Sequence, residues 1–421
     1  MDEAKPKPEK SFDISKKVVF KAYEKVKANK GAAGVDEESI AEFEKDLKGN
    51  LYKIWNRMSS GSYFPPPVRA VEIPKAGGKG VRVLGVPTVA DRIAQTVVKL
   101  YLEPEVEPLF HPDSYGYRPG RSALDAVGKC RERCWKSDWA IDLDIRAFFD
   151  SIPWDLMLKA VSKHTDLQWV LLYVERWLQA PLQMQDGTLQ QRDRGTSQGS
   201  AISPLLANLF LHYAFDLWLR RNYPAVTFER YADDAVLHCK TEAQARQVLA
   251  AITQRMTQVG LELHPDKTRI VYCKDSNRTG SYENERFNFL GYTFRPRSSK
   301  NRNDELFVSF SPAMSNDAGK AIRQQIRRWR LNGRSDKSLL DLARSINAVV
   351  RGWINYYGRF CRSHMYPTLW HIDTYLVRWA MRKYKRLNRS PKKAYKWLAD
   401  VMRRSPTLFA HWPVASRPEA G

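Results

Sequence analysis

No run of apolar residues in the 421-residue chain is long enough to span a bilayer, which argues against membrane helices. Cysteine is sparse. The five thiols (Cys130, Cys134, Cys239, Cys273 and Cys361) are odd in number and scattered, which fits free thiols in a reducing cytoplasm better than a disulfide framework. Cys130 and Cys134 lie four apart, but no second Cys or His pair follows at finger spacing, so a structural zinc is not expected. The first ten residues are charged and have no apolar core, so they do not read as a secretory signal. Internal repeats and low-complexity tracts are missing too. Glutamate is absent altogether between Ser315 and Ser405.

What is present in that segment is positive charge. Ser315–Ser405 holds 22 Lys or Arg against five Asp, a net +17 within a chain of +23, together with twelve aromatic residues. Charge this concentrated points to a polyanionic partner, and nucleic acid explains it better than a merely soluble basic surface or an anionic membrane. With 43% hydrophobic residues the chain is globular and long enough for two or three domains.

Periodicity predicts an α+β body followed by an all-helical basic region, with a boundary near residue 310. Residues 1–14 read as a flexible arm. A helix follows to about residue 28, a second covers 40–58, and strands at 68–75 and 81–84 form a hairpin turning at Gly77-Gly78. Further helices are predicted over 93–102, 123–134, 201–218 and 243–259. Strands are predicted at 139–145, 270–272 and 287–294, with a hairpin over 226–240.

That last hairpin carries Tyr231-Ala-Asp233-Asp234 at its tip. Two adjacent carboxylates repel unless something positive sits between them, and hard cations such as Mg²⁺ prefer carboxylate oxygen. An ordinary Asp-rich turn facing water explains the pair equally well in isolation. A third acid, Asp144, ends the predicted strand that begins at Trp139, and Phe149 follows five residues later. That arrangement suits a nucleotide polymerase, with the acid on metal and the ring beside the sugar. Asp144, Asp233 and Asp234 would hold two Mg²⁺ ions about 3.5–4 Å apart across an in-line displacement. Asp142 and Asp150 read as structural or solvated. In Arg194–Asn208, small residues allow close backbone approach to a nucleotide, Gln198 can bond a base or sugar edge, and Ser203-Pro204 starts a helix.

The order of these segments resembles the reverse transcriptase and maturase encoded by mobile group II introns. The segments are Asn29–Asp36, Arg69–Lys75, Gly80–Pro87, Phe110–Ser122, those of Asp144, Gln198 and Asp233-Asp234, Gly260–Thr268, and Phe289–Phe294. Arg351-Gly-Trp-Ile-Asn-Tyr-Tyr357 resembles the family's thumb, or maturase, domain. The resemblance implies a right-hand polymerase, with Asp144, Asp233 and Asp234 as metal-binding catalytic acids. It makes Phe149 a steric gate against the ribose 2′-hydroxyl and Gln198 part of the nucleotide pocket. Lys75 and Arg82 would clasp the incoming triphosphate, and Lys267 would stand near the leaving pyrophosphate. Lys30, Gly31, Arg118, Arg121, Arg323, Arg327, Arg328, Arg330 and Arg351 are expected to contact nucleic acid, the four arginines from Arg323 on successive turns. Trp353 and Tyr357 read as core rather than base-stacking.

The implied division is an N-terminal extension with fingers over 15–130, palm over 131–310, thumb over 311–385, and a short basic segment over 386–421 that could contact target DNA. The implied partners are intron RNA, target DNA or primer, and deoxynucleotides. Two departures stand out. The family commonly has Pro where this chain has Ser197, and Ser should loosen that turn while leaving Gln198. No downstream His and Cys pairs build an endonuclease, so second-strand cutting is not expected. A splicing cofactor with little polymerisation, or a host reverse transcriptase for repair or defence, are the alternative readings.

Overall fold

The computed structural model describes residues 10–74, 80–301 and 303–415. By packing, the chain divides into two compact units. One comprises the chain up to Ser122, Leu143–Leu237 and Ala243–Thr268; the other comprises Ala123–Asp142, His238–Glu242 and everything from Arg269. This division cuts the chain more often than a single boundary near 310, because long-range pairing rather than sequence order decides which segments pack together.

In the first unit, β1 (Val68–Pro74) and β2 (Val81–Val86) form an antiparallel hairpin with Arg69 opposite Val86. Two short strands, β4 (Leu182–Gln183) and β5 (Leu189–Gln190), extend this sheet in the order β2-β1-β4-β5. The helix Lys16–Ala28 buries Val19, Ala22, Tyr23 and Val26, the apolar stripe expected from its spacing. The expected second helix is present as Ile40–Phe43 and Leu47–Ser59, joined by a tight 3₁₀ turn and started by a Ser39–Glu42 capping box.

The end of the predicted arm is attached to the body: Ile14 is buried, the Phe12 N–H donates to the Ser59 carbonyl at 2.9 Å, and Trp55 Nε1 donates to the Ile14 carbonyl at 2.7 Å.

A second sheet has the order β6-β7-β3-β8, with β3 at Trp139–Asp144, β6 at Thr227–Tyr231, β7 at Asp234–Cys239 and β8 at Arg269–Tyr272. β3 pairs antiparallel to β8, with Asp142 opposite Arg269, whose Nε donates to the Asp142 carboxylate at 3.2 Å. The predicted helix over 201–218 is not uniform. Ser203–Leu211 is α-helical, His212–Asp216 forms a π-turn, and Leu217–Asn222 resumes the α-helix. Helices at Trp154–Ser162 and Gln168–Gln179 were not anticipated.

In the second unit, β9 (Phe287–Phe289), β10 (Tyr292–Lys300) and β11 (Leu306–Met314) form a sheet in the order β11-β10-β9. The predicted strand 287–294 is thus split by the turn at Leu290-Gly291, and pairing continues past Pro312 to Met314.

The helices Asn316–Arg328, Leu339–Tyr357, Tyr366–Lys383, Pro391–Arg404 and Trp412–Ala415 share one core built on Ile326, Ile346, Leu376, Leu398, Phe409 and Trp412. The segment expected to be separate beyond 385 is therefore part of that core as far as Ala415. Asp373 fastens it there, accepting from Trp412 Nε1 and pairing with His411 Nε2, both at 2.9 Å. No helix among the described residues is long and apolar enough to cross a membrane.

Asp91, at the start of the helix Val89–Val106, is a buried acid with a measurable consequence. It accepts hydrogen bonds from Trp177 Nε1 at 2.7 Å, Tyr63 at 3.0 Å and Gln95 at 2.9 Å, yet burial pushes its carboxyl up to about 6. The folded chain then holds this proton more tightly than the unfolded chain. The resulting stability is full below about pH 4 and is lost as pH rises toward about 6, a change of ~3 kcal/mol. Urea unfolding of wild type and Asp91→Asn should give a stability difference that changes by that amount across this window. A difference independent of pH would contradict it.

Candidate active site

The acids sit where strands end. β3 delivers Asp144, after which the backbone turns through Ala147 (φ 45°) into the short helix Phe148–Ser151. Phe148 is buried, whereas Phe149 is half-buried with its ring 5.4 Å from that of Phe148. β6 and β7 are joined by Ala232-Asp233, with Ala232 in the left-handed region at φ 57°. Non-glycine residues occupy that region only when their surroundings enforce it. Gly116 supplies part of the enforcement, because a Cβ there would lie 2.5 Å from the Ala232 nitrogen.

Burial pushes the Asp233 carboxyl above the ordinary aspartate value, the negative charge of Asp144 adds to the rise, and Arg82 and Lys267 oppose it, so these three groups each act electrostatically on Asp233. Lys267 Nζ rests 3.0 Å from Asp144 Oδ2, so this carboxylate already draws a cation. Thr268 and the backbone of His264 hold the Asp144 main chain, the latter by a 2.8 Å bond to its carbonyl. Half-buried carboxylates such as Asp233 and Asp144 are the oxygen donors that hard divalent cations take. Asp144, Asp233 and Asp234 offer the oxygen chemistry for such a cation, but among the described residues their carboxylates are not gathered within ligand distance of one another.

The Gln198 loop joins this group from another part of the chain. Thr196 N–H donates to the Phe149 carbonyl at 2.6 Å, and Gln198 Nε2 donates to Asp150 at 3.3 Å. Gly199, at φ 116°, allows contact with β2, since a Cβ there would lie 2.5 Å from the Gly85 carbonyl oxygen. Gly85 N–H donates to the Gln198 carbonyl at 2.7 Å. Ser197 is buried, its hydroxyl packed against Gly85. Arg82 on β2 is exposed. Lys75 lies outside the described residues.

The expected nucleic-acid residues divide. Arg118 is a correction. It is buried, with Nε and Nη2 on Glu107 at 2.9 and 2.8 Å and Nη1 on the His111 and Ser114 carbonyls, so its donors are consumed by folding. Lys30 and Arg121 are exposed, and Gly31 is half-buried, with no room for a Cβ beside Arg92. In the second unit Arg327, Arg328 and Arg351 are exposed, but Arg323 is half-buried beside Thr368. Arg330 lies beyond the helix end at φ 49°, so it does not continue the row of arginines. Trp353 packs against the helical core, stacked 5.3 Å from Trp329, and Tyr357 packs against the same core.

Two participants escaped the sequence reading. Tyr117 (φ 58°) stands beside the doublet, its ring 6.2 Å from Tyr231 and its hydroxyl pKa raised by burial and then by Asp233. Arg230, adjoining Tyr231, is wholly buried beneath the turn. A charged residue at an inward strand position was the available signal.

Comparison with known proteins gives two family matches. Residues 73–294 match the family described as reverse transcriptase (RNA-dependent DNA polymerase), and residues 319–397 match the group II intron maturase-specific domain. Protein YkfC of Escherichia coli K12 is 30% identical over 319 residues, covering 65% of this chain and 79% of that protein. The group II intron-encoded protein LtrA of Lactococcus lactis subsp. cremoris is 28% identical over 259 residues, covering 60% of this chain and 42% of its own length. An uncharacterized 91 kDa protein in the cob intron of Schizosaccharomyces pombe is 27% identical over 420 residues, covering 83% of this chain and half of that protein.

Proposed function

Because this chain belongs to the reverse transcriptase (RNA-dependent DNA polymerase) family, whose members use divalent metal ions, we propose that it copies intron RNA into DNA from the site around Asp144, Asp233 and Asp234. It also carries a group II intron maturase-specific domain over 319–397, which supports intron RNA as its partner and assistance in splicing as a second role. The observation that supports the polymerase reading is that Lys267 pairs with Asp144 at 3.0 Å while Asp144, Arg82 and Lys267 all act electrostatically on Asp233.

Asp144, Asp233 and Asp234 would hold two Mg²⁺ ions, which when bound offset the charge developing on the attacking and leaving oxygens. The chain's own groups supply the rest. Arg82, exposed on β2, is placed to meet a triphosphate by charge-assisted hydrogen bonds. Lys267, now on Asp144, is a cation available to a leaving pyrophosphate. Phe149 presents a half-buried ring on a backbone tied to the Gln198 loop, so a sugar beside it meets a wall that cannot easily yield. Lys30, Arg121, Arg327, Arg328 and Arg351 contribute phosphate contacts to RNA, DNA primer or target DNA.

The direct test is extension of a DNA primer on an RNA template with deoxynucleotides and Mg²⁺; no extension by folded, RNA-binding protein would refute the proposal. In the same assay Phe149→Ala should raise ribonucleotide incorporation roughly 10-fold or more, since removing a steric block changes discrimination by at least ~1.4 kcal/mol. Unchanged deoxynucleotide preference would remove the gate assignment.

A further inference from the structure

The turn bearing Asp233 and Asp234 is held from beneath by one side chain. Arg230 is 1% exposed and its guanidinium makes five hydrogen bonds. Nε and Nη2 grip the two oxygens of Asp216 at 2.7 and 2.6 Å. Nη1 donates to Asn208 Oδ1 at 3.1 Å and to the carbonyl of Ala232 at 3.0 Å, and Nη2 also donates to the Ser114 hydroxyl at 2.9 Å. Asn208 in turn donates to the carbonyl of Gly116 at 2.7 Å, the residue lying against the turn. The guanidinium thus links the π-turn, the helix before it, the Ser114 segment and the strained residue between Tyr231 and Asp233.

The geometry points to Arg230 as a positioning residue that sets the metal affinity of the Asp233–Asp234 turn by fixing the Ala232 carbonyl, with Asp216 and Asn208 holding the guanidinium in place. Ala232 would leave its left-handed conformation for a commoner one if released, and the carboxylates on either side of the following peptide would swing with it. Only a planar fork meets Asp216, Asn208, Ser114 and Ala232 together; a lysine ammonium cannot span them. This inference rests on the reading of Asp233 and Asp234 as metal ligands.

Two variants test it. Arg230→Lys keeps the charge opposite Asp216 but loses the fork. The double variant Arg230→Met with Asp216→Leu removes both charges, so no lone ion is left buried. Mn²⁺ binding to the purified protein, followed by electron paramagnetic resonance well below each variant's melting temperature, should weaken ~10–100-fold in both, as expected for groups that support metal ligands. The Mg²⁺ concentration giving half-maximal primer extension should rise in parallel. A purely structural role predicts lower melting temperatures with wild-type Mn²⁺ affinity in the folded protein, and that result overturns the inference. Asp233→Ala is the reference: if it too leaves Mn²⁺ binding unchanged, the metal-ligand reading fails first.

Discussion

Asp233→Ala should abolish primer extension on an RNA template while leaving intron RNA affinity and folding intact. Removing a carboxylate that stabilises charge at the reacting oxygens forfeits several kcal/mol, a loss of roughly 10³-fold or more in rate. The apo protein gives the prediction a second edge. Burial and the neighbouring Asp144 both disfavour the charged form of Asp233, so without metal this residue works against folding. The variant's melting temperature in metal-free buffer should equal or exceed that of wild type. A variant that is inactive, less stable and unable to bind RNA would show Asp233 to be a structural residue instead.

RNA binding should collapse with salt. If at least six phosphates are neutralised, affinity should fall roughly 10³-fold or more between 50 and 200 mM salt through counterion release. The structure narrows which side chains contribute. Arg118 is spent on Glu107, and Lys383 donates to the Ser335 and Lys337 carbonyls, so substituting either disturbs folding before it disturbs the salt slope. Arg327, Arg328 and Arg351 are exposed. Each changed to Gln should reduce the slope by about one without shifting template preference. A flat salt dependence in the wild type would contradict the role given to the basic helices.

The acids and the elements that present them were legible because they obey local rules. A strand that ends in Asp144 and a two-residue turn between two strands both write themselves into short stretches of sequence. What escaped depends on distance along the chain. Arg118 and Arg121 sit three apart in one motif, yet the first faces Glu107 and backbone carbonyls while the second faces solvent. Nothing local distinguishes them. The length of the Tyr292–Met314 hairpin was hidden by its prolines, which stop mattering where the missing N–H is not required. The packing of residues 386–415 was hidden by their charge. Phe409, Trp412 and Ala415 reach a core whose other members come from residues 314–398.

The π-turn at His212–Asp216 has a consequence for how this gene can vary. Such a turn amounts to one extra residue held within an otherwise regular helix, so the helical segments on either side are out of phase by about 100°. Deleting a single residue between His212 and Phe215 would restore a uniform helix and cost no backbone hydrogen bond locally. It would also rotate everything on one side of the deletion relative to the other, separating the Asp216 carboxylate from Asn208 and from the Arg230 fork they share. Substitutions on the outer face of this stretch leave that phase untouched. The segment therefore counts residues more strictly than it reads them, and a one-codon deletion here would act at the Asp233 turn without altering any of its side chains.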